Sequence, residues 1–220
     1  MKITNMNHLL LCSTAFAWFM LAMPGAHAAP PTADLTVKGK LAVPVCTVTA
    51  TDNGVYNIGK LSSTMVKSQS DTVLPSISKT WTITCDAETY LNFSHVDNRA
   101  ESASTVARPN FGLGNVNGTG KLGFYTVEVI NPTVDGATTR VFSTMTNTVG
   151  KENIVPYLSV HKENRHGWAS ARQDTQQSGK VFTADFVVTP TLASSAVMNG
   201  PITDDANIDG SMTLNFAYGI

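Results

Sequence analysis

Beyond residue 28 the apolar side chains recur at every second position, and no long stretch repeats them at the 3.6-residue period of a helix. That spacing restricts the chain to strands with one buried and one open face. Trp81, Ile83 and Cys85 share a face, with Thr80, Thr82 and Thr84 on the other. Leu91 and Phe93 point inward in Tyr90–Val96, and Leu122–Ile130 is strongly β-prone. Val155–Val160 is a further strand, which Pro156 puts at an edge or a strand start. Phe182, Ala184, Phe186 and Val188 form one face of a strand that Pro190 is expected to end. Asn53-Gly54 and Asp135-Gly136 are tight-turn pairs. Residues 97–120 and 163–179 are polar and predict long loops. After Gly210, the residues Met212, Leu214, Phe216, Tyr218 and Ile220 all point one way, and no strand follows. About seven or eight strands separated by turns predict an all-β chain folded as a two-sheet sandwich.

The beginning of the chain is a separate matter. Lys2 precedes an apolar stretch from Leu9 to Met23; Pro24-Gly25 breaks it, and Ala26-His27-Ala28 offers small residues at a cleavage site. This is the order of a secretory signal. The stretch, about 15 residues, is shorter than the roughly 20 needed to span a bilayer. The expected domains are a signal over residues 1–28 and one sandwich over residues 29–220. Removing the signal takes away Lys2 and no acid, so the remainder is one unit more negative than the net −1 of the whole chain. No basic excess is left to attract nucleic acid or anionic lipid, and no second apolar run could span a membrane. The expected location is secreted, outside the cytoplasm. Cys12 leaves with the signal, so Cys46 and Cys85 remain; in an oxidising compartment they are expected to form a disulfide. Two free thiols or a metal pair are the alternatives, and a zinc site lacks nearby histidines.

Leu35, Val37, Leu41 and Val43 also alternate, with Gly39 among them, and after Pro44 the apolar positions move to Cys46 and Val48. A strand that bulges or changes sheet at Pro44 would account for the change of phase.

Four segments together resemble the chaperone–usher pilin domain: Val37-Lys38-Gly39-Lys40-Leu41 leading to Cys46, Trp81-Thr82-Ile83-Thr84-Cys85, Lys121-Leu122-Gly123-Phe124-Tyr125, and the alternating C-terminal strand with Tyr218. More narrowly, the chain resembles a family of fimbrial-like proteins of unknown function. The resemblance implies an Ig-like sandwich that lacks its last strand, with an apolar groove lined by Met212, Leu214, Phe216, Tyr218 and Ile220. It implies as partners a periplasmic chaperone, an usher and other fimbrial subunits, and display on a fimbrium at the cell surface. It also bears on residues 35–43. As a first strand, they leave only Ala29–Ala33 ahead of them, too few to complete a neighbour's groove, so the chain would sit at a fibre tip or not polymerise. As a donor strand, they would be that extension themselves. The first-strand assignment is preferred.

No His-Glu-x-x-His, Gly-x-Ser-x-Gly or phosphate-binding glycine loop occurs, so neither catalysis nor a cofactor is expected. Asp204, Asp205 and Asp209 miss the spacing of a calcium loop and predict a solvated turn. Arg165, His166 and Trp168 mix hydrogen-bonding groups with a large aromatic and are the candidate contacts for a glycan or protein receptor; the alternative tucks Trp168 against the sandwich. Two rival functions stand beside the fimbrial one: a free secreted binding module of lectin type, and a hydrolase resting only on scattered histidines and acids.

Overall fold

Among the described residues fourteen strands occur, and a single long one organises the rest. In the computed structural model, residues 31–145 and 153–219 are described. They contain β1 (Cys46–Ala50), β2 (Thr72–Val73), β3 (Ile77–Asp97), β4 (Phe111–Gly112), β5 (Asn115–Val116), β6 (Gly120–Lys121) and β7 (Gly123–Val134). They continue with β8 (Ala137–Thr138), β9 (Arg140–Thr144), β10 (Ile154–Val155), β11 (Leu158–Ser159), β12 (Arg165–Ala169), β13 (Ser178–Leu192) and β14 (Met212–Tyr218). No α-helix occurs among the described residues. The expected signal, residues 1–28, and Ile220 lie outside the described residues.

Contacts divide the chain into Met1–Leu41 and Ala42–Ile220. In the first unit, residues 31–41 are exposed and form no regular element. In the second, β3 serves two ladders. Its first half pairs with β1 on one side and β13 on the other. Its second half pairs with β14 and β12. From β13 the first ladder continues to β7 and β11; from β12 the second continues to β9 and β10. The result is a curled antiparallel sheet, a sandwich-like all-β fold, the class the apolar alternation predicts. Both ladders feed one core: Phe93 of the second lies 5.5 Å from Phe186 of the first, and Ile83, Leu91, Trp168 and Phe182 are buried with them.

The predicted strands at Lys79–Cys85 and Tyr90–Val96 are thus one strand. Pro190 does not end β13. Its carbonyl accepts the Leu74 N–H at 2.9 Å. A residue's N and C=O point to the same side of a strand, so the missing N–H faces the break between β2 and the start of β3. The ladder to β7 therefore loses no bond, and Pro190 sits opposite Tyr125 in it. Val155–Val160 divides at Pro156 into β10 and β11, which close the two ladders at their outer ends. The Asp135-Gly136 turn is present, with φ of 50° and 79°. Asp135 also ties β7 to β13, its Oδ1 accepting the N–H groups of Lys180 at 3.0 Å and Val181 at 2.8 Å. Replacing Asp135 by Ala leaves both donors unmet and forces an alanine into positive φ; a loss of about 1–2 kcal/mol is expected. Urea unfolding would measure it, and Asp135→Asn should recover part of the loss.

Leu35–Val43 is not the first strand. No ladder begins before Cys46 among the described residues, and the apolar side chains are open to solvent: Leu35 is 87%, Val37 87%, Leu41 105% and Val43 76% exposed. The change of phase at Pro44 therefore marks the passage from an unpaired extended segment into β1.

Candidate functional groove

The register of β1 on β3 sets Cys46 directly opposite Cys85, and the two form a disulfide. Across an antiparallel pair such neighbours are close enough for the bond. It fastens a five-residue strand whose other edge has no strand partner among the described residues. The turn after β1 then folds against Trp81. Asp52, Asn53 and Gly54 all have positive φ. A Cβ at Gly54 would lie 2.9 Å from the indole, so the turn admits no larger residue without moving Trp81.

Residues 55–66 continue beside this turn without joining a ladder, and Tyr56, Ile58, Leu61 and Val66 are half-buried against the core. Tyr56 anchors them: its hydroxyl accepts the Trp81 Nε1–H at 3.1 Å and donates to the Phe186 carbonyl at 3.1 Å. Burial raises the Tyr56 pKa, opposed by the Trp81 bond, and keeps the phenol neutral as a donor. Lys79 Nζ pairs with Asp52 and lies 5.8 Å from the Tyr56 ring centre.

Opposite this wall runs β14. All seven of its residues pair with β3, from Met212 against Asp97 to Tyr218 against Leu91. Its outer edge has no strand partner among the described residues. Met212, Leu214 and Phe216 turn inward and are only half-buried. Between the two walls lies a groove of about 1080 Å³. Its floor is apolar, made by Trp81, Leu122, Tyr125, Val127, Phe186 and Val188 from β3, β7, β13 and their approaches. Trp81 and Val188 of this floor are half-buried, and Leu122, Tyr125, Val127 and Phe186 are buried beneath them. An apolar floor flanked by walls with unpaired backbone suits an extended strand, whose backbone would complete a ladder while alternate side chains meet the floor.

The groove residues predicted from the C-terminal run divide as follows. Met212 and Leu214 line the groove. Phe216 lies at 5.8 Å from Phe93 and closes the core beside it. Tyr218 is 41% exposed and takes no part. Ile220 is outside the described residues. The opposite wall, with Tyr56, Ile58 and Leu61, is absent from the predicted set. Val55–Leu61 reads in the sequence only as a short apolar piece after the Asn53-Gly54 turn, and its packing beside Trp81 reveals its part.

The predicted receptor contacts are corrected. Residues 163–179 are not one loop, because Arg165–Ala169 forms β12 between β9 and β3. His166 is fully buried and Trp168 is 1% exposed, so neither can touch a receptor in this fold. Gly167 lets β12 come this close: a Cβ there would lie 2.7 Å from both the Leu91 carbonyl and the Phe142 ring. Arg165 alone of the three keeps partial exposure. Among the described residues no group of three or more His, Cys, Asp or Glu could hold a metal ion, and no helix is long and apolar enough to cross a membrane. Asp209 is paired with Arg99 at 2.5 Å, and Asp204 and Asp205 are exposed.

Residues 35–111 match a family described as a protein of unknown function (DUF1120). That span runs from the exposed N-terminal segment through β1 and β3 to the start of β4. No curated protein matches the chain.

Proposed function

We propose that the chain is a fimbrial or fimbrial-like subunit whose groove is completed by a strand from a second copy. The observation that carries this reading is the pairing of two unsatisfied features. One is the open groove beside β14. The other is the exposed run Leu35, Val37, Gly39, Leu41 and Val43, in which every second residue is apolar or glycine. The first ladder begins only at Cys46, so these residues are free to act as a donor. At roughly 3.3 Å per residue, residues 35–43 reach about 30 Å, longer than the roughly 23 Å of the seven-residue β14. The donor alternative is therefore preferred to a tip subunit that only accepts a strand.

The fimbrial class rests on the pilin-like order of strands and cysteines. With it come a periplasmic chaperone that covers the groove before assembly, an usher, passage through the periplasm and display on the cell surface. The signal-like residues 1–28 support that route. The function is structural, with adhesion to a glycan or protein as its outward use, and catalysis has no part in it. A peptide of residues 33–45 added to the chain should raise its melting temperature in a saturable way, and the same peptide carrying Leu41→Asp should not. Identical melting with both peptides would overturn the proposal.

A further inference from the structure

The inward face of β3 carries Leu91, Phe93 and His95 beside β14, with His95 directly opposite Leu214 in the register. From the other side β12 sets His166 opposite Phe93. The two imidazole centres are 5.6 Å apart. His166 stacks on Phe93 at 5.3 Å, and His95 meets the edge of Phe111 at 5.3 Å. His166 Nε2 accepts the backbone N–H of His161 at 3.4 Å, which requires a neutral ring. Its Nδ1 and both nitrogens of His95 are buried without a hydrogen-bond partner.

The charges around the pair act in opposite senses: the Asp97 carboxylate favours a cation at His95 against the larger effect of burial, while Lys162 disfavours one there and the neighbouring imidazoles disfavour one at His166. Asp97, two residues along β3, accepts the Gly112 N–H at 3.1 Å and lies 3.6 Å from Lys162 Nζ. Lys162 faces the site from the segment before β12, with Arg108 beside His161 and Arg165 next to His166 in sequence. From β4 comes Phe111, and from β7 Tyr125, whose phenol burial keeps neutral. The inward residues of β14, Met212, Leu214 and Phe216, bring no titratable group. A proton arriving here meets a second imidazole, apolar rings and one carboxylate that already faces Lys162.

We propose that His95 and His166 form an acid-operated release for β14: proton uptake drives the His95 ring out from beside Leu214 and frees the strand that walls the groove. The direction of the electrostatics agrees. Burial lowers the pKa of both rings, that of His166 to about 3 with His95 and His161 adding to the effect. The release itself concerns one chain; only its effect on strand uptake rests on the function proposed above.

Amide hydrogen exchange on the chain without peptide, corrected for the intrinsic pH dependence, tests it. Between pH 6.5 and 4.5, protection of β14 should fall by up to about tenfold per pH unit while that of β7 and β13 falls less. His95→Phe should abolish the difference. Loss that is uniform over the sandwich, or that persists unchanged in His95→Phe, would overturn the release. Should that variant not fold, the wild-type imidazole titration decides, since a His95 signal titrating at the ordinary 6.5 excludes the mechanism. An acid-labile β14 in a chain that ignores the donor peptide would uphold the release and sink only the strand exchange.

Discussion

Replacing Cys46 and Cys85 together by alanine will lower the free energy of unfolding by about 4 kcal/mol. The cysteines are 39 residues apart in sequence, so the bond removes a large closed loop's worth of freedom from the unfolded chain. Folding gives little to replace it locally. β1 is five residues long, is paired on one side only, and shows solvent all three side chains between Cys46 and Ala50, namely Thr47, Val48 and Thr49. The disulfide is what holds that strand in place, and with it the turn that packs Gly54 on Trp81 and starts the groove wall. Urea unfolding of the oxidised chain and the double variant measures the effect from midpoint and slope together, the slope rising in the variant because its unfolded chain is less compact. A shift equivalent to less than about 1 kcal/mol would mean that the unfolded chain is already restricted in this region. Exchange protection in residues 55–66 should also fall, because their anchor Tyr56 follows directly from β1 and its turn.

Trp168→Ala will cost about 3–5 kcal/mol, the range for removing a large buried aromatic. The indole is 1% exposed, meets Phe182 at 5.4 Å and Phe93 at 6.4 Å, and donates its Nε1–H to the Thr183 carbonyl at 2.9 Å. It therefore joins β12 to both β3 and β13. Trp168→Phe keeps most of the ring contacts and loses the hydrogen bond, so a smaller loss of about 1–2 kcal/mol is expected. A surface contact residue would behave otherwise, with stability changing by no more than about 0.5 kcal/mol. Circular dichroism across a denaturant series separates the two cases.

Acid should weaken the fold for the reason that underlies the proposed release. A base whose pKa is lowered by folding takes up its proton more readily in the unfolded chain. The stability tied to neutral His166 is thus fully present above 6.5 and is lost as pH falls toward about 3. Within that window the folding equilibrium loses up to about tenfold per pH unit from this one group.

Period-two alternation was enough to identify strands wherever one face is buried and the other open. β3, β7, β13 and β14 carry that pattern over many residues, and all were legible. β9 and β12 were not. Arg165-His166-Gly167-Trp168-Ala169 buries four consecutive residues, because β12 lies between two strands with the core on one face and packed neighbours on the other. Such a strand has no alternation to read. Leu35–Val43 failed in the opposite sense. Its alternation is as regular as that of any strand, yet a pattern of side chains says only that a segment can pair, not which chain supplies the partner.

The same division holds for the groove. Its β14 wall was visible as a row of Met212, Leu214 and Phe216, while the wall of residues 55–66 depends on Trp81 reaching across to Tyr56. The sequence by itself determined the all-β class, the long strands and the two cysteines that could join, since these follow from local periodicity and residue chemistry. Only the tertiary structure decided which apolar residues are core, which stay open, and which strand edges have no partner among the described residues. Those outcomes depend on backbone neighbours far apart in the chain, and a side-chain pattern carries no record of them.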